Sequence, residues 1–195
     1  MINQNFVIIG FIIQCIGGWS YLVDTVKGKI QPNRVTWFLW ALAPLIAFVA
    51  EVKQGVGLQS LMTFSVGFIP LCVFIASFFN KKAVWKLGTL DYLCGALSIL
   101  GLLLWWVTKV GNIAIVFSIL SDALAAVPTI IKSVRMPESE SYNVYFAGWV
   151  NAGITLLTIS NWNFATWGFP VYMLVLNFLL FALIKFRYRK QSGAR

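Results

Sequence analysis

The sequence of 195 residues contains no histidine. This absence excludes metal sites and catalytic groups that depend on an imidazole ring, together with imidazole proton relays. Acidic residues are also scarce, with six Asp and Glu against 15 Lys and Arg, so little remains for general acid–base chemistry. We therefore expect that the chain is not an enzyme and that it needs no cofactor and no metal.

Cysteine is nearly as rare, with Cys15, Cys72 and Cys94 far apart and each within an apolar run. An odd number of cysteines without a CxxC pair predicts neither a disulfide framework nor a zinc site. We interpret the three thiols as small packing residues. The sequence also lacks a phosphate-binding glycine loop and any kinase signature.

Charge of either sign is the third deficit. Charged residues make up 11% of the chain and apolar residues 59%, whereas a soluble domain has about 25% charged and about 45–50% apolar residues. So few charges could not cover the surface of a soluble fold. The composition therefore predicts an integral membrane protein.

Seven apolar runs are long enough to cross a bilayer as helices, which takes about 20 residues each. The connections between the runs are short and leave no room for a soluble domain. The predicted fold class is an all-α integral membrane protein with seven transmembrane helices. The predicted spans are 6–26, 35–52, 58–79, 90–110, 113–134, 144–160 and 167–186.

The basic residues predict the orientation of these spans. Thirteen of the 15 fall on the side of the C-terminus, and only Lys53 and Lys109 fall on the other. Because cytoplasmic loops are rich in Lys and Arg, we expect a cytoplasmic C-terminus and an external N-terminus, in a plasma membrane of bacterial type. The basic residues behind the net charge of +9 then lie mostly on the cytoplasmic side, where they contact anionic lipid. We therefore expect no nucleic-acid partner. The thirteen are Lys27, Lys29, Arg34, Lys81, Lys82, Lys86, Lys132, Arg135, Lys185, Arg187, Arg189, Lys190 and Arg195.

The order of the spans contains an internal repeat. Spans 1–3 and 5–7 share one layout. Adding one constant number to the residue positions of the first half, here called the repeat shift, aligns Thr25 with Ser133 and Lys27 with Arg135. In both halves the aligned segment is followed by a short polar loop with a proline and then by an aromatic-rich span. We expect two parallel three-helix repeats joined by a connector helix, the arrangement 3+1+3. The predicted divisions are 1–87 for the first repeat, 88–112 for the connector and 113–195 for the second repeat with a basic cytoplasmic tail.

Residues 128–141, which read PTIIKSVRMPESES, resemble a PQ-loop: a Pro-Gln pair, apolar residues, a basic residue and a polar stretch ending in Ser. Thr129 stands where the pattern has Gln. With the 3+1+3 layout, this segment resembles the PQ-loop, SWEET and cystinosin superfamily of membrane transporters. The resemblance implies an external N-terminus and transport of a small solute.

Four polar residues lie near the middle of their predicted spans: Gln14, Asp122, Asn151 and Asn177. Polar side chains inside a bilayer usually face the bundle interior and often mark solute pathways, so we predict that these four bind substrate. The repeat shift places Gln14 opposite Asp122, the only acidic residue deep in any span. Asp122 could exchange a proton or pair with a cationic substrate. The alternative for all four is hydrogen bonding between helices.

Three tryptophans on spans 2 and 6, Trp37, Trp40 and Trp149, complete the predicted substrate site. Aromatic pairs can clamp a sugar ring, a nucleobase or a cation, although ordinary packing is the alternative for each ring. The resemblance adds that Trp149 and Asn177 approximately match a Trp and an Asn that line the pocket in sugar-carrying relatives.

Two prolines, Pro44 in span 2 and Pro128 in span 5, are predicted hinges, because proline removes a helix hydrogen bond and permits bending. The alternative is a fixed kink. Together these features predict a membrane transporter, either a facilitator or proton-coupled, that works by alternating access between the two three-helix bundles. The alternative function is a non-transporting seven-helix receptor or scaffold that binds a small ligand. The expected partners are the lipid bilayer and a small polar solute. The sequence leaves open whether the chain forms a homo-oligomer.

Overall fold

A computed structural model describes residues 1–79, 85–108 and 111–192. In these ranges the chain forms seven α-helices and a single 3₁₀ turn at Pro137–Ser139, and it contains no strand. The prediction of seven helices is confirmed. The helices are α1 (Phe6–Val26), α2 (Arg34–Lys53), α3 (Ser60–Ala76), α4 (Thr89–Thr108), α5 (Gly111–Arg135), α6 (Tyr142–Thr158) and α7 (Phe164–Ser192).

The helix ends differ from the predicted spans where capping and helix propensity act beyond hydropathy. Helix α2 begins one residue early because the Asn33 side chain accepts hydrogen bonds from the backbone N–H groups of Val35 (3.1 Å) and Thr36 (3.3 Å). Helix α7 runs on to Ser192 because Lys and Arg end an apolar run without ending a helix. Lys81, Lys82, Lys109 and Arg195, used to predict the orientation, lie outside the described residues.

Among the residues that the structure describes, four helices are long and apolar enough to cross a membrane: α1, α2, α5 and α7. Large apolar side chains are exposed along the outer surfaces of α1, α4 and α7, for example Ile12, Leu97 and Val175. Polar side chains such as Gln14 and Asn151 are buried inside instead. The chain therefore exposes many large apolar side chains and buries a set of polar side chains within an otherwise apolar interior.

The six helices other than α4 pack as a closed ring in the order α1, α3, α2, α5, α7, α6 and back to α1. Within the described residues, the backbones of α1 and α2 do not approach each other closely, and neither do those of α5 and α6. If α1, α2 and α3 are exchanged with α5, α6 and α7, respectively, each pair of neighbouring helices in the ring becomes another pair of neighbouring helices in the ring. The repeat shift also carries Arg34, the first residue of α2, onto Tyr142, the first residue of α6.

Helix α4 lies outside this ring, against α5 and, less extensively, α2. The hydroxyls of Ser98 and Ser121 each donate to the other residue's carbonyl at 2.8 Å, which joins α4 to α5. At its start, Asp91 accepts a short hydrogen bond from the Asn33 side chain. The helix is therefore fixed to the ring at two levels.

Two contacts close the ring between the α1–α3 and α5–α7 helices. At the α1–α6 contact, a Cβ atom on Gly17 would lie 2.5 Å from Cβ of Ala147, so only glycine permits this approach. At the α2–α5 contact, Thr36 Oγ1 donates to the carbonyl of Ala125 at 2.9 Å.

Candidate functional site

A cavity, here called the central cavity, lies at the middle of the helix ring. It has a volume of about 40 Å³, room for about three water molecules at about 10–15 Å³ each. Side chains from α1, α2, α3, α5, α6 and α7 line it. Five of the seven residues predicted to bind substrate are among them: Gln14, Trp37, Trp40, Asp122 and Asn177.

The lining follows the internal repeat. The repeat shift pairs Gln14 with Asp122, Trp37 with Tyr145, and Ile69 with Asn177, and all six line the central cavity. In each pair the two side chains differ in chemistry although their helices occupy equivalent places in the ring. The cavity is therefore lined by unequal hydrogen-bonding groups from helices at equivalent places in the ring.

Asp122 is 1% exposed and brings the one carboxyl group into this lining. Its Oδ2 accepts a hydrogen bond from the Tyr172 hydroxyl of α7 at 2.6 Å. Its Oδ1 accepts none from any residue that the structure describes. A buried acceptor without a donor is costly, so this oxygen is available to a molecule in the cavity.

Gln14 and Asn177 bring amide groups to the same cavity. Gln14 is 4% exposed, and its Oε1 also lacks a donor within the described ranges. Asn177 donates through Nδ2 to the carbonyl of Met173 at 2.9 Å. Its side chain packs directly over Gly148, where a Cβ atom would lie 2.5 Å from Asn177 Oδ1. The Asn177 amide is therefore fixed in position by α6 and α7.

Aromatic rings form the wall of the cavity towards the loops 27–33 and 136–141, which we call the basic end. The Trp37 and Trp40 ring centroids are 5.5 Å apart, and those of Trp40 and Tyr145 are 6.2 Å apart, both edge to face. Tyr21 packs behind Trp37 at 4.5 Å. The Trp40 indole donates to the carbonyl of Asp122 at 3.2 Å, which fixes this ring beside the carboxyl group.

A buried ion pair closes the basic end beyond these rings. Lys132 Nζ lies 2.8 Å from Glu140 Oε1, and both side chains are fully buried. Glu140 Oε2 accepts hydrogen bonds from Tyr21 (2.7 Å) and Tyr145 (3.2 Å), and Lys132 also makes a short hydrogen bond to the carbonyl of Gln31. Because these groups come from both halves of the ring, the pair connects the halves at this end.

The opposite end of the ring, formed by the loops 54–59 and 159–163, is here called the polar end. It contains a surface pocket of about 250 Å³ with polar side chains that include Gln54, Gln59 and Asn163. An apolar cluster that includes Met62, Ile115 and Phe169 separates this pocket from the central cavity. The central cavity is thus closed towards both ends.

Two predicted site residues do not line the central cavity. Asn151 is fully buried, donates through Nδ2 to Ser65 Oγ at 3.1 Å, and packs against Gly10. It joins α6 to α3 and α1. Trp149 is half-buried and contacts the rings of Phe146 and Phe178, which are exposed on the outer surface of the ring.

Both predicted hinge residues are buried within continuous helices, Pro44 in α2 and Pro128 in α5. These are the helices of the α2–α5 contact, so a bend at either proline would act on one of the two places where the halves meet. Pro70 of α3 lines the cavity as well.

Sequence reasoning missed several residues of the site. Tyr145 could have been found, because it is the residue onto which the repeat shift carries Trp37. Tyr172 and Glu140 offered no signal, since their contacts depend on how α7 and the α5–α6 loop fold against α5. Outside the site, the sequence did not predict that Glu51, near the polar end of α2, is buried. Glu51 is 1% exposed, and it was missed because it lies at the edge of its apolar run.

No group of three or more potential metal-binding side chains occurs in the part of the chain that the structure describes. The central cavity offers oxygen atoms, amide groups and aromatic faces, which suit a small organic molecule. Comparison with protein-family models, curated proteins and solved structures finds no significant match to this chain.

Proposed function

We propose that the chain is an integral membrane protein that transports a small polar solute through the central cavity. One observation carries this proposal: the buried carboxyl group of Asp122 lines the central cavity, and one of its oxygens has no donor among the described residues. Ionisable side chains at such positions are costly and are typical of solute and ion pathways.

The exposed apolar surface and the buried polar side chains support the membrane location. Exposed apolar faces on α1, α4 and α7 would be insoluble in water but suit lipid. Helices α3 and α6 have 17 residues each, at the lower end of the roughly 17–25 residues that span a bilayer. We propose that all seven helices cross, with the basic end in the cytoplasm.

The contacts of the ring support the 3+1+3 arrangement. Its exchange symmetry is the one expected of two parallel three-helix repeats around an axis along the membrane normal, with α4 as the connector. This arrangement and the loop at residues 128–141 make membership of the PQ-loop, SWEET and cystinosin superfamily our structural hypothesis.

Groups that lie between the central cavity and each end of the ring support our proposal of alternating access. The Lys132–Glu140 pair and the aromatic wall close the basic end, and the apolar cluster closes the polar end. Opening one closure at a time, by rotating one half of the ring against the other, would expose the cavity to each side in turn. Bending at Pro44 and Pro128 would permit this rotation at the α2–α5 contact.

Flux through proteoliposomes tests the proposal. The purified chain would be reconstituted and assayed with labelled amines, polyols, amino acids and carboxylates, against protein-free liposomes. We expect protein-dependent, saturable flux of at least one class, reduced at least about tenfold in Asp122→Asn, which keeps the shape of the side chain and removes its charge.

Glu51→Gln is the matched control. Glu51 resembles Asp122, because one carboxyl oxygen accepts from a hydroxyl (Thr63, 3.0 Å) and the other lacks a donor in the described chain, but Glu51 does not line the cavity. Equal loss of flux in both variants would contradict the role of Asp122. Tight binding without flux of any solute would favour the receptor. Proton coupling through Asp122 is wrong if a pH gradient drives flux equally in Asp122→Asn.

A further inference from the structure

The charge of the central cavity restricts what it can bind. The residues that line it include one carboxyl group, Asp122, and neither Lys nor Arg. The hydrogen-bond partner of Asp122 is the neutral hydroxyl of Tyr172, which stabilises a negative charge without compensating it. The nearest buried cation at the basic end, Lys132, is already paired with Glu140 at 2.8 Å. An ionised Asp122 therefore gives the cavity a net negative charge.

The hydrogen-bonding groups of the cavity restrict the solute further. Asp122 Oδ1 and Gln14 Oε1 are both buried acceptors without a donor in the described parts of the chain. They come from equivalent positions of α5 and α1, on opposite sides of the ring. A solute that satisfies both acceptors must donate at least two hydrogen bonds.

The aromatic wall adds a preference for positive charge. Trp37, Trp40 and Tyr145 line the same cavity as these two acceptors, with centroid separations of 5.5 Å and 6.2 Å between neighbouring rings. Tryptophan and tyrosine rings attract cations through their quadrupoles, and the attraction is stronger where water is excluded. The same rings offer an apolar surface to a short carbon chain.

We propose that the central cavity binds a small protonated primary amine. Its ammonium group donates to Asp122 Oδ1 and Gln14 Oε1, and its carbon chain lies against Trp37, Trp40 and Tyr145. A volume of about 40 Å³ limits the solute to a few non-hydrogen atoms in this closed conformation. This inference rests on the proposed function, because it assigns the substrate class of the same cavity.

Other solutes match the cavity less well. A neutral polyol would leave the charge of Asp122 without compensation, and an anion would be repelled. A divalent metal ion prefers six or more oxygen ligands, whereas the only lining side chains with oxygen are Asp122, Gln14, Asn177 and Tyr145. A quaternary ammonium ion would satisfy the rings but donates no hydrogen bond to Gln14.

Isothermal titration calorimetry of the purified full chain in detergent tests this inference with three probes of similar size. Ethanolammonium carries the positive charge, ethylene glycol replaces the ammonium group by a neutral hydroxyl, and glycolate carries a negative charge. We expect ethanolammonium to bind at least about tenfold more tightly than ethylene glycol, as for a hydrogen bond to a charged group. No binding of glycolate is expected.

Two variants locate the site. Asp122→Asn should weaken ethanolammonium binding at least about tenfold and leave the thermal unfolding temperature close to that of the wild type. Glu51→Gln, which changes a buried carboxyl group outside the cavity, should bind like the wild type. Equal binding of ethanolammonium and ethylene glycol, or equal weakening in both variants, would overturn the inference. So would displacement of ethanolammonium by an equal concentration of Na⁺ or K⁺.

The flux assay separates this inference from the proposed function. Binding of ethanolammonium that depends on Asp122, without flux of any solute, would retain the amine site and contradict transport. Protein-dependent flux of a neutral solute or an anion, without ethanolammonium binding, would retain transport and contradict the amine site.

Discussion

At the scale of single residues, the site depends on close approaches that only glycine allows. Gly148 lies against the Asn177 side chain, and Gly10 lies against Asn151. Both asparagines are thus positioned by a neighbouring helix that lacks a side chain at the point of contact. Asn177 faces the cavity as a result, whereas Asn151 is enclosed between three helices.

Gly148→Ala should therefore destabilise the protein. The new Cβ atom would lie 2.5 Å from Asn177 Oδ1 and 2.7 Å from its Cγ, an overpacking that costs about 1–3 kcal/mol of unfolding free energy. Gly153→Ala in the same helix is the control. Its nearest neighbour, Leu174 Cδ1, would lie at 3.6 Å, so the helix preference of alanine should dominate. Unfolding in mixed micelles by titration with SDS measures both variants, and a Gly148→Ala protein as stable as Gly153→Ala would contradict the prediction.

Residue chemistry also explains which site residues the sequence could predict. Gln14 and Asp122 stand out because polar groups are rare in apolar runs, and both line the cavity. Trp149 does not line the cavity, although Tyr145, one helical turn away in α6, does line it. Since lipid and protein interior are both apolar, hydrophobic periodicity does not reveal which face of such a helix turns inward. Small residues mark that face better, as Ala147 and Gly148 do on α6.

At the scale of elements, the hydropathy of the chain predicted the seven helices because each needs an apolar surface of similar length. The contacts at their ends could not be predicted in the same way. Lys132 was expected to be one of the basic residues at the membrane surface, and instead it is buried at the end of α5. Its partner Glu140 approaches only because the 3₁₀ turn at Pro137–Ser139 folds the loop back.

The Lys132–Glu140 pair should dominate the stability of the basic end. Removing one partner, in Lys132→Met or Glu140→Leu, leaves an uncompensated buried charge and should cost about 3–5 kcal/mol of unfolding free energy. The double variant should lose clearly less than the sum of the two single losses. The control is the partly exposed pair of Lys29, in the loop after α1, and Asp24, in the last turn of α1, which lie 3.6 Å apart. Lys29→Met should cost at most about 1 kcal/mol. Additive losses in a double-mutant cycle would contradict direct coupling of the buried pair.

At the scale of the whole molecule, the proposed orientation places the basic end in the cytoplasm and the polar end outside. In a variant with Cys15, Cys72 and Cys94 replaced by alanine, single cysteines would be introduced at Asn161 of the polar end or Glu138 of the basic end. Both positions are exposed. An impermeant maleimide should label Asn161→Cys in intact cells and Glu138→Cys only after permeabilisation. The reverse result would invert the orientation, and labelling of both in intact cells would contradict an opposite placement of the two ends.

The sequence predicts a repeat of three helices, but it does not predict which helices are in contact. The repeat shift aligns the helices, yet nothing in it indicates that α3 would separate α1 from α2, or that α4 would pack mainly on α5. Those choices depend on close fits such as Gly17 against Ala147 and on the Ser98–Ser121 hydrogen bonds. Such fits involve residues that are common throughout membrane helices.

The unequal pairs that face each other across the central cavity have a consequence for the orientation of a guest. A lining with identical residues at equivalent positions would offer any guest two equivalent poses, related by half a turn. Here Asp122 faces Gln14, Tyr145 faces Trp37 and Asn177 faces Ile69, so the two poses differ in energy. A guest that contacts these unlike groups therefore has one preferred orientation in the cavity.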